Sequence, residues 1–278
     1  FNERISIDEG EAEDAEMVAA FEHIEAARGA VSLTYFECAT LAALWLFRQR
    51  KVDVQVLEVG LGGRLDAVNI LDADVSVITS IGLDHIDWLG PDRASISREK
   101  AGIARQNRPC IVAESDPPDA LLAALNDRGA ETLLIDRDWH IDDRQLQTVG
   151  GQNAPLPAAS GLLPSNIGAA MQALEVSECG DLSEAVLAQM AGVQLLGRLS
   201  QRMINGVEYV FDVAHNTGSV KALVRHLAET AGLGATRAVF AVMGDKPIHD
   251  MISACDGVFD EWNVVDLPQV PRAQSAAE

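Results

Sequence analysis

Short, mostly apolar runs in the first half of the chain are typical of buried β-strands. Val54–Val59 and Val75–Ile81 are rich in β-branched residues, and each is followed by Gly. Strands buried on both faces of a parallel sheet show this pattern. The alternating segment Phe1–Ile7 and the run Thr132–Ile135 predict two further strands. We therefore expect an α/β fold.

The spacing of apolar residues predicts helices between these strands. Thr34–Arg50 is apolar on nearly all sides, which is typical of a buried helix. Two later helices are expected to begin at N-caps, Ser165 for a helix through Leu174 and Ser183 for one that ends near Gly192. The polar, turn-rich stretch Trp139–Ala159 predicts a hairpin. The other predicted helices are Asp14–Ala27, Arg98–Arg105 and a segment from Pro117-Pro118 to about Asn126.

A second alternating series begins after Gly197. It predicts, in order, a strand, a helix, a strand, a helix and a strand over Val207–Val213, Gly218–Leu227, Ala238–Met243, Ile248–Ala254 and Trp262–Val265. This βαβαβ order is typical of half a nucleotide-binding fold. We therefore place a domain boundary near Gly197–Arg202 and expect two domains, residues 1–197 and 198–278.

Composition and charge narrow the class of protein. The chain has 278 residues, 48% of them hydrophobic, and its 21 basic and 42 acidic residues give a formal net charge of −21. This charge argues against a nucleic-acid or anionic-membrane binder, which needs a basic face. The longest nearly apolar run, Cys38–Phe47, is too short to span a bilayer. The four cysteines form no C-x-x-C motif and fit a reducing cytoplasm, where we expect the protein to reside.

Potential metal ligands lie at the ends of two predicted strands of the first domain, Val54–Val59 and Val75–Ile81. Glu58 ends the first run, and Asp84 and His85 follow the second. Because ligands sit at the carboxyl ends of strands in open α/β sheets, these groups are candidates for one site, and their chemistry suits Mg²⁺ or Mn²⁺ better than zinc. The alternative is that Glu58 caps a turn and His85 bonds a backbone carbonyl.

Other candidate residues are weak when taken singly. The turn Gly60-Leu61-Gly62-Gly63 lacks the third glycine of a dinucleotide fingerprint, and no G-x-x-x-x-G-K-[ST] phosphate loop occurs. Lys100 lies in a predicted helix and, taken alone, is expected to be a solvent-exposed lysine. Asp212, His215 and Asn216 end the first strand of the second domain, where Asp212 could face a ligand or simply cap the next helix.

The combination of motifs is far more specific than its parts. The chain contains, in this order, Thr34-Tyr35-Phe36-Glu37, Glu58-Val59-Gly60-Leu61-Gly62-Gly63-Arg64-Leu65-Asp66-Ala67, Leu83-Asp84-His85-Ile86-Asp87-Trp88-Leu89-Gly90, Arg98-Glu99-Lys100-Ala101-Gly102-Ile103 and Asp212-Val213-Ala214-His215-Asn216. This series closely resembles the bifunctional dihydrofolate synthase/folylpolyglutamate synthase family of Mur-type ATP-dependent amide ligases. The resemblance is densest from Leu33 to Ile103 and thins after about Gly218.

The resemblance implies a fold and a reaction. The fold is a P-loop-NTPase-like ATPase domain with a parallel sheet, followed by a Rossmann-like ligase domain. The reaction joins L-glutamate to the carboxyl group of dihydropteroate or folate through an acyl phosphate made from ATP. The implied partners are therefore these small molecules and Mg²⁺, and we expect a monomer.

The resemblance also implies roles for individual residues. Glu58 and His85 are expected to bind Mg²⁺, and Lys100 to carry a carbamate. His215 is expected near the phosphates and the incoming glutamate, together with Asn216. The residues expected to contact ATP are Asn166, Arg198 and Asp212. Those expected to line the pterin pocket are Thr34, Tyr35, Phe36, Glu37, Leu65, Asp66 and Ala67.

Several departures from the family pattern bear on activity. The family's phosphate loop precedes a segment like Phe1–Ile5, and its last strands lie beyond a position like Glu278, so we expect this chain to be incomplete and inactive by itself. Val68 and Thr217 stand where the family usually has Thr and Pro. Two alternatives remain open, a Mur-type ligase with another acceptor and a non-catalytic fragment. The Thr34–Glu37 motif with Asp66 favours the folate acceptor, and the missing phosphate loop favours the fragment.

Overall fold

A computed structural model describes residues 2–8, 10–157, 162–230 and 234–277. The chain divides into two compact units. The first consists of Phe1–Ile81, Asp87–Leu134 and Ala173–Gly180, and the second of Gly82–Ile86, Ile135–Gln172 and Asp181–Glu278. None of the helices in the described ranges is long and apolar enough to cross a membrane.

Nine α-helices lie in the described residues. They are α1 Asp14–Arg28, α2 Tyr35–Arg50, α3 Ile86–Leu89, α4 Arg93–Lys100, α5 Asp119–Asp127, α6 Pro164–Ser177, α7 Glu184–Ala191, α8 Thr217–Thr230 and α9 Ile248–Ser253. Short 3₁₀ helices cover Asn2–Arg4, Ala67–Ile70 and Ala101–Ile103. The predicted positions of α1, α2, α5, α7 and α9 are confirmed to within a few residues.

Twelve strands in the described residues form five small sheets. The strands are β1 Ser6–Ile7, β2 Gly10–Glu11, β3 Ser76–Ile78, β4 Pro109–Val112, β5 Glu131–Leu134, β6 His140–Asp142, β7 Gln145–Gln147, β8 Asn153–Pro155, β9 Ser200–Ile204, β10 Val207–Phe211, β11 Arg237–Phe240 and β12 Glu261–Val264. The order β3-β4-β5 is all parallel, β11 and β12 are parallel, and the other pairs are antiparallel.

Two apolar layers hold the first unit together. Helices α1 and α2 pack through a core that includes Met17, Ala20, Ala42 and Leu46. The central strand β4 is fully buried from Cys110 to Val112, as continuous apolar strands of parallel sheets are. Burial raises the pKa of the Cys110 thiol to about 11. Cys110 is therefore a small core residue and not a reactive thiol, as its apolar neighbours predict.

The exit from β3 is fixed by a charged pair. The Glu114 carboxylate accepts the backbone N–H groups of Ile81 at 2.8 Å and Asp116 at 3.1 Å and pairs with Arg93 at 3.5 Å. Arg93 in turn donates from Nε to the Ile81 carbonyl at 2.9 Å. Both backbone groups of the buried Ile81 are thus bonded by side chains, which fixes the direction in which the chain leaves the sheet.

Glu114→Ala is expected to destabilise the protein by about 2–3 kcal/mol, because it leaves the buried N–H of Ile81 and the Arg93 guanidinium without this acceptor. Urea unfolding followed by circular dichroism measures the loss. Glu131→Ala, at an exposed position of β5, is the matched control. Its stability is expected to change by less than about 0.5 kcal/mol, as is usual for exposed positions. Equal unfolding midpoints for the two variants would contradict this role of Glu114.

In the second unit, α6 lies close against the three-stranded antiparallel sheet. A Cβ atom on Gly168 would come within 2.8 Å of Ile141 and 3.0 Å of the buried Trp139 ring, so glycine allows this approach. The buried Gln172 side chain accepts the N–H of Val149 at 3.1 Å. A second small core, Val220, Val242, Met251 and Cys255, lies around α8 and α9.

Three strand predictions are wrong or incomplete. Val54–Val59 is not a strand, and Val54 and Val56 are 51% and 89% exposed, because no strand of the described residues pairs with this segment. Of the predicted strand Phe1–Ile7, the described residues from Asn2 onwards form a 3₁₀ turn and only the two-residue strand β1, and Phe1 lies outside them. The predicted hairpin at Trp139–Ala159 has three strands within its described residues, and Ala158 and Ala159 lie outside them.

The second domain also departs from the predicted single βαβαβ sheet. Strand β10 pairs antiparallel with β9, a strand that the sequence analysis missed, while β11, α9 and β12 form the expected parallel crossover. The Asn205-Gly206 turn joins β9 to β10 with φ values of 52° and 77°. Both residues are left-handed, as a type I′ hairpin requires.

Two helix starts were also misplaced. Helix α4 begins five residues before the predicted Arg98, because Asp92 caps it. The Asp92 carboxylate accepts the Ser95 N–H at 2.7 Å. Ser165 lies inside α6 rather than at its N-cap. At α4 the capping carboxylate, and not the apolar spacing, sets the boundary.

Candidate functional site

The first unit brings Lys100 beside the turn that follows Glu58. Lys100 ends α4, and the neighbouring Glu99 carbonyl accepts the backbone N–H of Arg64 at 2.8 Å. The Arg64 guanidinium also donates to the Glu99 carboxylate at 3.0 Å. Two segments 35 residues apart in sequence are thereby held together, which places the turn carrying Leu65–Ala67 next to the helix end carrying Lys100.

Glycines make this approach possible. A Cβ atom on Gly102 would lie 2.3 Å from that of Arg64, and one on Gly63, whose φ is 157°, would lie 2.9 Å from the Glu99 carbonyl oxygen. Any side chain at Gly63 or Gly102 would therefore push the two segments apart. The glycine-rich turn, which on sequence alone is a weak nucleotide fingerprint, is explained here by close packing of backbone.

The pterin-pocket candidates of this unit have identifiable local roles. Thr34 and Glu37 form a capping box at the start of α2. Within it, Glu37 accepts the Thr34 N–H at 2.7 Å and Thr34 accepts the Glu37 N–H at 3.3 Å. The backbone N–H and the hydroxyl of Thr34, which both donate to the Glu37 carboxylate, lower the pKa of Glu37. Asp66 accepts the N–H groups of Leu61 at 2.9 Å and Val68 at 3.1 Å, which closes the glycine-rich turn.

The aromatic and apolar candidates lie beside these caps. The Phe36 ring packs so closely on Gly60 that a Cβ atom there would come within 2.6 Å of it. Tyr35 is 54% exposed, with the Arg4 guanidinium 5.9 Å from its ring centroid. Leu65 is 79% exposed, and Ala67 opens the short 3₁₀ helix capped by Asp66. The unit therefore presents exposed Tyr35 and Leu65 on a framework fixed by Phe36 and Asp66.

The second unit contains a charged cluster centred on Asp84. One Asp84 oxygen accepts a hydrogen bond from Lys246 Nζ at 3.0 Å, and the other lies 3.2 Å from His215 Nε2 and 3.5 Å from Asn216 Nδ2. Lys246 is the most buried of these side chains, at 11% exposed, and Asp84 is 25% exposed. We call Asp84, His215, Asn216 and Lys246 the Asp84 cluster.

The cluster keeps Asp84 ionised. Partial burial acts to raise the pKa of Asp84, but the hydrogen bonds from Lys246 and from the His85 backbone N–H outweigh it and leave the pKa below its usual value. His215 Nδ1 lies 3.0 Å from the Val213 carbonyl oxygen, which fixes the plane of the ring. One carboxylate therefore orients an ammonium group and an imidazole side by side.

Three residues of the second unit, Asn166, Arg198 and Asp212, were predicted to contact ATP. Both oxygens of Asp212 accept backbone N–H groups, of Leu199 at 2.9 Å and Ala214 at 2.7 Å, so Asp212 ties the chain near Arg198 to the end of β10. Arg198 is exposed, and its guanidinium forms no ion pair within the described residues. Asn166 lies exposed in the first turn of α6. Asn216 caps α8 by accepting the Ser219 N–H at 2.9 Å, as asparagine commonly does at helix starts.

The proposed metal ligands lie in different units. Glu58 is exposed in the segment before the glycine-rich turn. This segment forms no strand, so the prediction that a strand carries Glu58 is wrong. His85 has a left-handed φ of 50° and a side chain that is 49% exposed. No group of three or more His, Cys, Asp or Glu within the described ranges could hold a metal ion.

On sequence grounds Asp84 was grouped with His85 as a potential metal ligand, and Lys246 had no predicted role. The signal for Asp84 was present, since a carboxylate follows a buried strand directly. Lys246 follows the predicted strand Ala238–Met243 in a Gly-Asp-Lys turn. A charged residue in the loop after each of two predicted strands, Val75–Ile81 and Ala238–Met243, is the pattern that could have linked them.

Comparison with known proteins identifies the family. A family model described as "Mur ligase, glutamate ligase domain" matches residues 197–278. The Escherichia coli (strain K12) dihydrofolate synthase/folylpolyglutamate synthase is 40% identical over 288 residues, which cover 100% of this chain and 66% of that protein. The chain thus spans about two thirds of the length of this relative.

Solved structures agree with the sequence comparison. The structure of E. coli FolC in complex with DHPP and ADP matches with a TM-score of 0.90 and 39% identity, covering 100% of this chain and 67% of that one. A bifunctional folylpolyglutamate synthase/dihydrofolate synthase with Mn, AMPPNP and L-glutamate bound matches with a TM-score of 0.91 and 40% identity, covering 99% and 68%. The predicted α/β fold of a Mur-type ligase is confirmed, and the chain belongs to the dihydrofolate synthase/folylpolyglutamate synthase family.

Proposed function

We propose that the protein ligates L-glutamate to dihydropteroate, to folate polyglutamates or to both, with ATP as the energy source. The observation that carries this proposal is the match over nearly the whole chain to solved relatives holding DHPP and ADP, or Mn, AMPPNP and L-glutamate. An acceptor carboxylate attacks the γ-phosphorus of ATP, and ADP leaves. The glutamate amine then attacks the acyl phosphate, so that an amide forms and phosphate and a proton are released.

The main electrostatic problem of this reaction is the meeting of like charges. A carboxylate must approach a triphosphate, and both are negatively charged. Cationic groups therefore have to neutralise the repulsion between them. In the second unit, Lys246 offers such a group, and Asp84 holds it beside the His215 imidazole. We propose that the lysine and the imidazole face the phosphates and the incoming glutamate, and that Asn166, Arg198 and Asp212 hold ATP.

The proposed metal ligands suit Mg²⁺ by their chemistry. We propose Glu58 and His85 as Mg²⁺ ligands, and Mg²⁺ characteristically keeps water and substrate phosphate oxygens as its other ligands. Bound there, Mg²⁺ would neutralise charge on the phosphates. We further propose that Lys100 carries a carbamate, a negatively charged group at the end of α4.

The acceptor is proposed to bind the first unit. Tyr35 and Leu65 are exposed and apolar enough to lie against a flat pterin ring, while Thr34, Phe36, Glu37, Asp66 and Ala67 fix the backbone around them. The Mur ligase domain match at residues 197–278 supports a boundary between a domain of residues 1–197 and one of residues 198–278. We propose that the second of these completes the glutamate site.

Phosphate release from ATP by the full-length gene product is expected to require an acceptor, L-glutamate and Mg²⁺ together. Each component is omitted in turn, and dihydropteroate is compared with folate and with a peptidoglycan-type carboxylate acceptor. Release that requires a pterin acceptor supports the assignment. Equal release without any acceptor contradicts the ligase function, and a requirement for the third acceptor supports another Mur-type ligase instead.

A further inference from the structure

One arginine of the first unit bonds to the backbone of two separate segments. The Arg105 side chain is 20% exposed, and its guanidinium donates to the carbonyls of its own segment at Gly102 and Ile103, at 3.3 and 3.0 Å. It also reaches across to the Asn69 and Leu71 carbonyls, each at 3.0 Å, and pairs with the Asp72 carboxylate. The planar fork of an arginine suits this many-sided contact, and a lysine ammonium does not.

Asn69 completes the same connection from the opposite side. Its Nδ2 donates to the Arg64 carbonyl and to the Gly102 carbonyl, both at 3.1 Å, and its Oδ1 accepts from Arg105 Nη2 at 2.9 Å. The amide therefore contacts the end of the glycine-rich turn, the segment after α4 and the arginine at once. We call Asn69 and Arg105 the clamp.

The clamp lies between two groups of proposed functional residues. The turn carrying Leu65–Ala67 precedes Asn69, and Lys100 precedes Gly102 by two residues. On one side of this junction the Arg64–Glu99 backbone hydrogen bond already joins the segments. The clamp adds hydrogen bonds between the same two segments at a second place, so the turn cannot rotate about the Arg64–Glu99 contacts.

We propose that Asn69 and Arg105 are positioning residues, which set the acceptor-binding turn at a fixed distance from Lys100. This inference rests on the proposed function. Neither side chain needs to touch a substrate, because a shift of about 1 Å between binding groups is enough to cost about 100-fold in rate. Release of the clamp is expected to weaken acceptor binding selectively, because the proposed ATP contacts lie in the other unit.

Two variants test the clamp in the full-length gene product. Arg105→Met removes all the guanidinium hydrogen bonds, and Asn69→Asp keeps the size of the side chain but replaces the two amide donations with repulsion between oxygens. Arg108→Met is the matched control, since Arg108 is 55% exposed and pairs with Asp74 at 3.2 Å. We expect both clamp variants to raise the KM for the pterin acceptor about tenfold or more, with the KM for ATP changed less than about twofold.

Hydrogen exchange measured by mass spectrometry supplies the second readout. Amides of residues 64–72 and 99–105 are expected to exchange faster in the clamp variants than in Arg108→Met, with other regions unchanged. An equal rise in the KM for ATP and for the acceptor, or faster exchange throughout the protein, overturns the inference in favour of a general stabilising role. If the wild-type protein releases phosphate without an acceptor, the proposed function fails and takes this inference with it. Acceptor-dependent wild-type activity with unaltered clamp variants overturns the clamp alone.

Discussion

Lys100→Ala in the full-length gene product is expected to lower acceptor-dependent phosphate release by about 100- to 1,000-fold, a loss of about 3–4 kcal/mol of transition-state stabilisation. The physical reason is the proposed carbamate, whose negative charge at the end of α4 would help to fix the Mg²⁺ that neutralises the phosphates. Removing the amine removes the attachment point and leaves the helix itself intact. Single-turnover phosphate release at saturating ATP measures the effect.

Chemical rescue separates this role from a structural one. Formate or acetate added to Lys100→Ala is expected to restore part of the activity, because a small free carboxylate can occupy the space of the lost carbamate. Lys221→Ala, on the exposed surface of α8, is the control and is expected to retain wild-type rates with no response to formate. Wild-type turnover in Lys100→Ala would rule out the carbamate role.

Local signals in the sequence predicted the elements that local chemistry determines. Helix α2 begins where Thr34 and Glu37 form a capping box, and this pair is visible in the sequence as T-x-x-E. Strand β3 lies within the predicted apolar run Val75–Ile81, and its Ser76 and Ile78 are buried, as strands of parallel sheets are. In such segments the information lies within a few neighbouring residues, so reading the sequence was enough.

Segments whose structure depends on a distant partner were predicted less well. Val54–Val59 has the composition of a strand, but a strand exists only where another supplies hydrogen bonds, and none of the described residues does so. The hairpin of β9 and β10 was missed for another reason. Its Asn205-Gly206 turn is a strong hairpin signal, but the prediction relied on the apolar spacing of the segments that follow this turn.

The candidate site shows the same division. On sequence grounds Asp212 could bind a ligand or cap a helix, and Asp66 was expected to line the pterin pocket. The structure gives both carboxylates backbone N–H partners. The pairing of Asp84 with Lys246 joins residues 162 positions apart. No local pattern encodes such a contact, since it depends on where the fold of the second unit places the loops that carry Asp84 and Lys246.

Asp84→Asn is expected to reduce turnover of the full-length gene product by about 30- to 150-fold, because replacing a carboxylate that bonds a charged group costs about 2–3 kcal/mol. The amide has one acceptor oxygen for Lys246 and His215 together, so at least one of these side chains loses its orientation. Asp87→Asn, at an exposed position of the same motif, is the control and is expected to keep wild-type rates.

A double-mutant cycle with Lys246→Met sharpens the test, since the double variant is expected to lose little more than Lys246→Met alone if the two side chains act as a unit. Fully additive losses, or an Asp84→Asn protein as active as Asp87→Asn, would show that Asp84 does not hold Lys246 for the reaction.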